Sequence, residues 1–265
     1  MGRWLLNAFP TWALALLCVL VPMAATFLAA KLLTRLAPAA AEGRYSAAAH
    51  NLLTQAMVLY GFVLAFTIVN QYQDVSSARN DVQVEALNLE DLYRVSTALP
   101  EPARSELGAA VRSYDLHVVR DEWDQLAHGR SDPGAATELK RMYEVVQAPV
   151  TVTARPSAVG ADLGGHALDY LHTVHEARHR RIDTAAQSMP GVLVVFLVVG
   201  AVGVLVSSLL LGIGGHRLIT PLGLAALLGF TLYLSLTLEH PFSGDHPIPS
   251  THFQEGTLAQ FVAAP

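Results

Sequence analysis

Four long runs of apolar residues divide the chain, and each is long enough to cross a bilayer. They cover about residues 12–33, 53–69, 192–211 and 218–238. A helix rises about 1.5 Å per residue, so roughly 20 residues span the hydrocarbon core. The last two runs are separated by "GIGGHR", which predicts a transmembrane hairpin. A cleavable signal peptide is the rival interpretation of the first run, and we expect a retained helix instead.

The second apolar run passes gradually into polar sequence. Polar residues begin at Asn70, and neither glycine nor proline occurs between there and Pro100. Farther along, Leu89, Leu92 and Val95 recur at intervals of three, as on one face of an amphipathic helix. The pattern predicts one long helix that leaves the membrane and continues into water.

The region between the second and third spans is helical in pattern. We expect a helix from Glu101 to Leu126, a turn at "AHGRSDPGA", a short helix, a loop at "APVTVTARPSAVGADLGG" and a last helix from Ala167. The sequence therefore predicts an all-α integral membrane protein with four transmembrane helices and a helical extramembrane domain between the second and third spans. The predicted segments are transmembrane helices 1 and 2 (1–70), the helical domain (71–189), the transmembrane hairpin (190–239) and a C-terminal tail (240–265).

Composition supports a membrane protein. Charged residues make up 15% of the chain, whereas soluble domains have about 25%. The net charge of -5 argues against a nucleic-acid-binding surface, so we expect the lipid bilayer and no nucleic acid as a partner. The single cysteine, Cys18, excludes a disulfide within the chain.

The string "HEARH" at residues 175–179 matches the H-E-x-x-H signature of zinc metalloproteases. His175 and His179 fall on one helix face, as zinc ligands would, and Glu176 is placed as a general base. Arg178 between the histidines opposes the binding of a dication by charge repulsion, and no convincing third ligand follows. We therefore interpret the string as a solvated helix face with Glu–Arg contacts near lipid headgroups. His175 and His179 stay weak metal candidates.

Three stretches together have a familiar arrangement. They are "YGFVLAFTIVNQYQDVSSARNDVQVEALNLEDLYRVSTALP", "LHTVHEARHRRIDTAAQSMPGVLVVFLVVGAVG" and "LEHPFSGD" after the last span. With the order of two spans, a helical domain and two spans, the chain resembles the bacterial bestrophin-like family, also called DUF4239. The resemblance implies that the "HEARH" helix is an Arg/Glu-rich segment leading into the membrane.

The family name points to bestrophins, which are oligomeric anion channels with a pore lined by the second transmembrane helix. They carry a Pro-Phe-Gly acidic segment after the last span that helps hold calcium, and the stretch from Pro241 to Asp245 is similar to it. The acidic run that should follow is replaced by "HPIPS", so Glu239 and Asp245 alone cannot supply the six to eight oxygens that calcium prefers. Both are weak metal candidates, and a helix terminator followed by a turn is the alternative interpretation.

A pore is predicted along one face of the second span. Leu59, Phe62, Phe66, Asn70 and Asp74 recur at three- and four-residue spacing. In a symmetric oligomer, rings of phenylalanine can gate by dewetting, and a ring of aspartates favours cations at the mouth, in conflict with simple anion selectivity. The alternative is that the phenylalanines only pack against neighbouring helices.

The sequence thus favours a homo-oligomeric bestrophin-like ion channel that passes an inorganic ion. We expect no enzyme activity, no cofactor, and a multi-pass location in a cell membrane, namely a bacterial inner membrane. The first alternative is a non-conducting membrane scaffold or stress-response protein whose helical domain binds partners. The second is a membrane zinc metalloprotease that uses "HEARH".

Overall fold

The computed structural model describes residues 2–42, 44–148, 158–213, 218–245 and 247–262. The chain is 84% helical, and its described residues form no strand, which confirms the all-α class. The α-helices, in chain order, are α1 (Gly2–Ala8), α2 (Thr11–Leu36), α3 (Pro38–Ala41), α4 (Ser46–Ala98), α5 (Ala103–His117), α6 (Trp123–Leu126), α7 (Pro133–Gln147), α8 (Ala158–Ala186), α9 (Gly191–Leu209), α10 (Ile219–Glu239) and α11 (Ala259–Val262).

Four of these helices, α2, α4, α9 and α10, are long and apolar enough to cross a membrane. The predicted four spans are therefore confirmed. Helix α4, which is 53 residues long in all, continues past its apolar part without a break. No proline interrupts α4, so the backbone hydrogen bonds of the span extend directly into its polar part. At about 1.5 Å per residue, this helix is roughly 80 Å long.

Two sequence predictions fall partly outside the described residues. The loop predicted over "APVTVTARPSAVGADLGG" includes residues 149–157, and the predicted hairpin connection includes residues 214–217; both ranges lie outside the described part of the chain. Within the described residues, α8 begins at Ala158, nine residues before the predicted start at Ala167. The alanine and leucine residues that follow the glycines there favour continuation of a helix, and the glycines alone do not end it.

The chain divides into two compact units. The first comprises Met1–Gln73 and Ser188–His240, and the second comprises Asp74–Gln187 and Pro241–Pro265. The segment set apart as a tail in the sequence is thus part of the second unit. Its apolar side chains belong to the core of that unit: Phe242, Ile248, Phe253, Leu258 and Phe261.

Small residues set the close helix contacts in the first unit. A Cβ added to Gly229 of α10 would lie 2.2 Å from the carbonyl oxygen of Cys18 in α2. A Cβ added to Gly200 of α9 would lie 2.4 Å from the Tyr60 ring of α4. Helices in a membrane gain little from hydrophobic burial against each other, so such close backbone packing supplies much of their attraction.

The second unit has a hydrophobic core built from α4, α5, α7, α8 and the C-terminal segment. The helix expected to run to Leu126 contains a π-helical turn at Val118–Glu122, between α5 and α6. The turn "AHGRSDPGA" ends at Asp132, whose side chain accepts a hydrogen bond from the backbone N–H of Ala135 and so caps α7. Pro133 occupies the first helical position, where its missing N–H costs little.

Candidate functional site

The predicted pore-lining residues share one uncovered face of α4. The side chains of Phe62 and Phe66 are 72% and 61% exposed, and Leu59 is equally open. Asn70 and Asp74, farther along the same helix, are also exposed. The described residues of this chain therefore leave the five positions without a covering helix. We call these residues the α4 stripe.

A neighbouring face of α4 packs against the other spans of the same chain. Tyr60, Leu64 and Thr67 are buried and recur at three- and four-residue intervals. Tyr60 packs against α9, and the amide oxygen of Gln71 accepts a hydrogen bond from the Ser235 hydroxyl of α10 at 2.9 Å. Because this face binds the other spans of the same chain, the α4 stripe is left for lipid, for another subunit or for a pore.

The solvated face predicted for the "HEARH" helix includes Glu176, His179 and Arg180 but not the other two arginines of this stretch. Arg178 and Arg181 are buried in the second unit, and Arg181 is fully buried. Their positions continue the buried pattern of Leu171 and Val174, which ends at Ala185. The interpretation of this string as a solvated face is therefore wrong for both arginines. The helical periodicity of α8 could have revealed this burial in the sequence, because Arg178 and Arg181 occupy positions where the pattern of buried residues calls for apolar side chains.

The two arginines bind two fully buried glutamates. Arg181 donates from Nε to Oε2 of Glu85 at 2.8 Å and from Nη2 to Oε1 of Glu85 at 2.9 Å. The same Nη2 donates to Oε1 of Glu122 at 2.7 Å. Arg178 binds the second oxygen of Glu122, and the Tyr114 hydroxyl donates to Oε1 of Glu85 at 2.7 Å. We call these five residues the arginine–glutamate cluster.

Local structure positions the glutamates. Glu85 lies on the buried face of α4, next to Val82 and Leu89 of the core. Glu122 ends the π-helical turn, and its side chain is buried, like that of Val118 at the start of the turn. The backbone N–H of Asp132 donates to Oε2 of Glu122 at 3.1 Å, and its carbonyl accepts from Arg178 at 3.2 Å. Thus every carboxylate oxygen of the two glutamates has a donor.

Aromatic side chains close the cluster on one side. The guanidinium carbon of Arg181 lies 5.1 Å from the Trp123 ring and 5.9 Å from the Phe253 ring, within the range of cation–π attraction. The indole N–H of Trp123 donates to the carbonyl of Ile248 at 2.9 Å. Phe242 packs edge to face on the same indole. The segment after the last span therefore shields the buried ion pairs from water.

Burial and charge set the ionisation of the cluster. Burial lowers the pKa of Arg181, but the carboxylates of Glu85 and Glu122 outweigh this effect and raise the pKa above its ordinary value. Burial and then the charge of Glu85 raise the pKa of Asp115 from 3.8 to about 8. Neither carboxylate oxygen of Asp115 has a hydrogen-bond partner within the described part of the chain. The charges of Arg178 and Arg181 thus balance those of Glu85 and Glu122. Asp115 is mainly protonated at neutral pH.

The sequence of the chain matches one family model. A model described as the bestrophin-like domain matches residues 20–253, which include most of α2 and all of α4 to α10. This chain belongs to the bestrophin-like family. The resemblance drawn from the three sequence stretches is thereby confirmed. The comparison with curated proteins and the comparison with solved structures gave no match.

The histidines of this bestrophin-like chain lie beside the cluster in sequence but on another face of α8. The rings of His175 and His179 are 4.4 Å apart between centroids, and burial, followed by the charge of His179, lowers the pKa of His175. Glu176 is exposed and forms an ion pair with Arg180 at 3.6 Å. The glutamate that a zinc protease would use as a base therefore lies beside a cation.

The other weak metal candidates, Glu239 and Asp245, are distant in sequence from these histidines. Oε1 of Glu239 accepts a hydrogen bond from the backbone N–H of Met189 at 2.7 Å, ahead of α9. Asp245 is exposed and follows Gly244, whose φ of 83° belongs to a turn. Among the described residues, His117, Asp121 and Asp132 are close enough together to hold a metal ion, and none of the three was predicted from the sequence as a site residue.

Proposed function

We propose that this bestrophin-like chain forms a homo-oligomeric ion channel in which the α4 stripe lines a shared axial pore. The observation that carries the proposal is the exposure of Phe62 and Phe66 in the second span. In the alternative, these rings only pack against neighbouring helices; those helices would have to come from another subunit, since the helices of the same chain leave the rings uncovered. Membership of the bestrophin-like family supports a channel over other uses of such a face.

The polar end of the stripe favours a pore over a lipid-facing surface. Leu59, Phe62 and Phe66 alone would suit lipid equally well. Asn70 and Asp74 continue the same face with an amide and a carboxylate, which suit water and ions. Around a cyclic axis, the sequence of rings would be an apolar constriction, a polar ring and an acidic mouth. The acidic mouth favours cations.

The setting of the proposed channel follows from its helices. The chain is a multi-pass membrane protein, and we infer that it acts in a cell membrane, namely a bacterial inner membrane. Its partners would be the lipid bilayer, other copies of itself and a permeant inorganic ion. We propose that it has no catalytic activity and needs no cofactor, and that it binds no nucleic acid.

A non-conducting scaffold is the second candidate. It is favoured by the second unit, which has a hydrophobic core of its own and a buried ion network. Such a unit could bind partners without any transport. The zinc protease has less support, because Glu176 is paired with Arg180.

Single-channel recording tests the proposal directly. The purified full chain is reconstituted in planar bilayers under a KCl gradient, and the wild type is compared with Phe66→Ala and Asp74→Asn. Phe27→Ala is the matched control, because Phe27 is an exposed phenylalanine on α2, outside the stripe. We expect larger or leakier currents from Phe66→Ala, a weaker cation preference from Asp74→Asn and wild-type currents from Phe27→Ala. A silent wild type, in a preparation where a proven channel conducts, would contradict the channel and leave the scaffold as the better explanation.

A further inference from the structure

Three side chains meet on the second unit where α5 ends and α7 begins. They are His117 in the last turn of α5, Asp121 in the π-helical turn and Asp132 at the N-cap of α7. Nδ1 of His117 lies 3.1 Å from Oδ2 of Asp121 and 3.2 Å from Oδ2 of Asp132. Their possible donor atoms all lie within 4.8 Å of one another.

The two distances from His117 are close to those between ligand atoms of a tetrahedral metal ion. Zinc binds histidine nitrogen and carboxylate oxygen at about 2.0–2.2 Å, so neighbouring ligand atoms of a tetrahedron are roughly 3.3–3.5 Å apart. The two distances from His117 are a few tenths of an ångström shorter than that. A small outward movement of the donor atoms would therefore make room for the ion. One imidazole and two carboxylates are also a ligand set that divalent transition metals accept.

The charges of the group call for a cation. No lysine or arginine forms an ion pair with Asp121 or Asp132 within the described ranges, and His117 is the basic group that contacts both. Two carboxylates this close repel each other unless a positive charge lies between them. Arg178 contacts the backbone carbonyl of Asp132, but its guanidinium is already bound to Glu122.

The ligand atoms are also held in place before any ion binds. A Cβ added to Gly134 would lie 2.5 Å from Nδ1 of His117. The imidazole therefore packs directly against Gly134, and a larger residue at that position would displace the ring. Oδ2 of Asp132 accepts from the N–H of Ala135 at 2.8 Å, which fixes the carboxylate. The π-helical turn places Asp121 one turn beyond His117, and such turns are common at functional sites.

We propose that His117, Asp121 and Asp132 bind one divalent transition-metal ion, with Zn²⁺ as the representative ion. The side chains of His117 and Asp121 are 37% and 55% exposed, so solvent supplies the fourth ligand and the ion has an open route of entry. The bound ion would join the end of α5 to the start of α7. The site is separate from the α4 stripe and does not depend on the channel.

Metal binding to the full chain tests this site. Tag-free protein in detergent is stripped of metal, and binding of Zn²⁺ alone is followed by isothermal titration calorimetry and by the metal content after dialysis. Co²⁺ then replaces Zn²⁺, because its visible absorption reports four-coordinate geometry. The variants are His117→Gln and Asp121→Asn; Asp132 is left intact because it caps α7. His252→Gln is the matched control, since His252 also faces one acid, Glu255, without a third ligand.

We expect one equivalent of Zn²⁺ in the wild type and in His252→Gln, with the absorption of tetrahedral Co²⁺. The two site variants should bind Zn²⁺ about 100-fold more weakly or not at all, because each loses one of three protein ligands. Their unchanged helical circular dichroism would show that they are folded. The proposal is overturned if the wild type binds no Zn²⁺ or if both site variants bind it normally. It is also overturned if His175→Gln, and not His117→Gln, abolishes binding.

Discussion

Replacing Arg181 with methionine should destabilise the second unit severely. The variant keeps an apolar side chain of similar length but removes three charge-assisted hydrogen bonds, of 2.8, 2.9 and 2.7 Å. Glu122 keeps Arg178, whereas Glu85 keeps the Tyr114 hydroxyl and loses its cation. Removing one partner of a buried ion pair costs about 3–5 kcal/mol, because it leaves a buried charge unpaired. We expect a loss of about that size in the free energy of unfolding.

A double variant separates the unpaired charge from the loss of packing. Glu85→Gln with Arg181→Met removes both charges, so it should recover at least half of the loss seen in Arg181→Met alone. Lys140→Met is the control in the same unit: Lys140 pairs with Glu144 at 3.5 Å, and the two side chains are 79% and 64% exposed. Exposed ion pairs contribute roughly 0–1 kcal/mol, so this control should change stability little.

Tryptophan fluorescence during urea unfolding in detergent measures these differences. The chain has three tryptophans, of which Trp123 contacts the cluster, so Trp4 and Trp12 are changed to phenylalanine in every variant. Trp123 then reports the unfolding of the second unit. The reasoning is refuted if Arg181→Met unfolds within about 1 kcal/mol of its parent, or if the double variant is no more stable than Arg181→Met.

Three further predictions concern single residues. The pKa of Asp115 is about 8 in the folded protein, against an ordinary value of 3.8. Asp115 therefore holds a proton that the unfolded chain releases. The free energy of unfolding of the wild type should fall as the pH rises from about 4 to about 8, by up to about 1.4 kcal/mol per pH unit. Asp115→Asn should remove this slope and be the more stable protein at pH 8, measured by urea unfolding in EDTA; an unchanged slope contradicts the assignment. Gly229→Ala should lower the melting temperature, because its Cβ meets backbone of α2, whereas Gly203→Ala has open space and should not; equal effects would contradict the close crossing. In a cysteine-free background, a bismaleimide should join subunits through Phe62→Cys but not through the similarly exposed Leu28→Cys, and electrophoresis showing the reverse would argue against a pore along α4.

Much of the architecture followed from local sequence. The length of an apolar run decides whether a helix can cross the hydrocarbon core, because each unpaired backbone group would be costly there. The same local logic explains α4, since a helix continues where no proline interrupts it. The α4 stripe was also visible in the sequence, because its positions repeat at helical spacing. Its use as a pore stays a prediction.

The arginine–glutamate cluster could not be predicted in this way. Helical spacing places Arg178 and Arg181 in line with buried positions of α8, but it does not show which residues pair with them, and a charge is stable in a core only beside its partner. Glu85 is 96 residues from Arg181, and the π-helical turn that ends at Glu122 has no simple sequence signal. The packing of the C-terminal segment over Trp123 depends on the same long-range contacts. Helical periodicity in the sequence therefore determined which helix faces are apolar. Tertiary structure decided which charges are buried, because the free energy of an ion pair depends on the distance between the two charges in space and not along the chain.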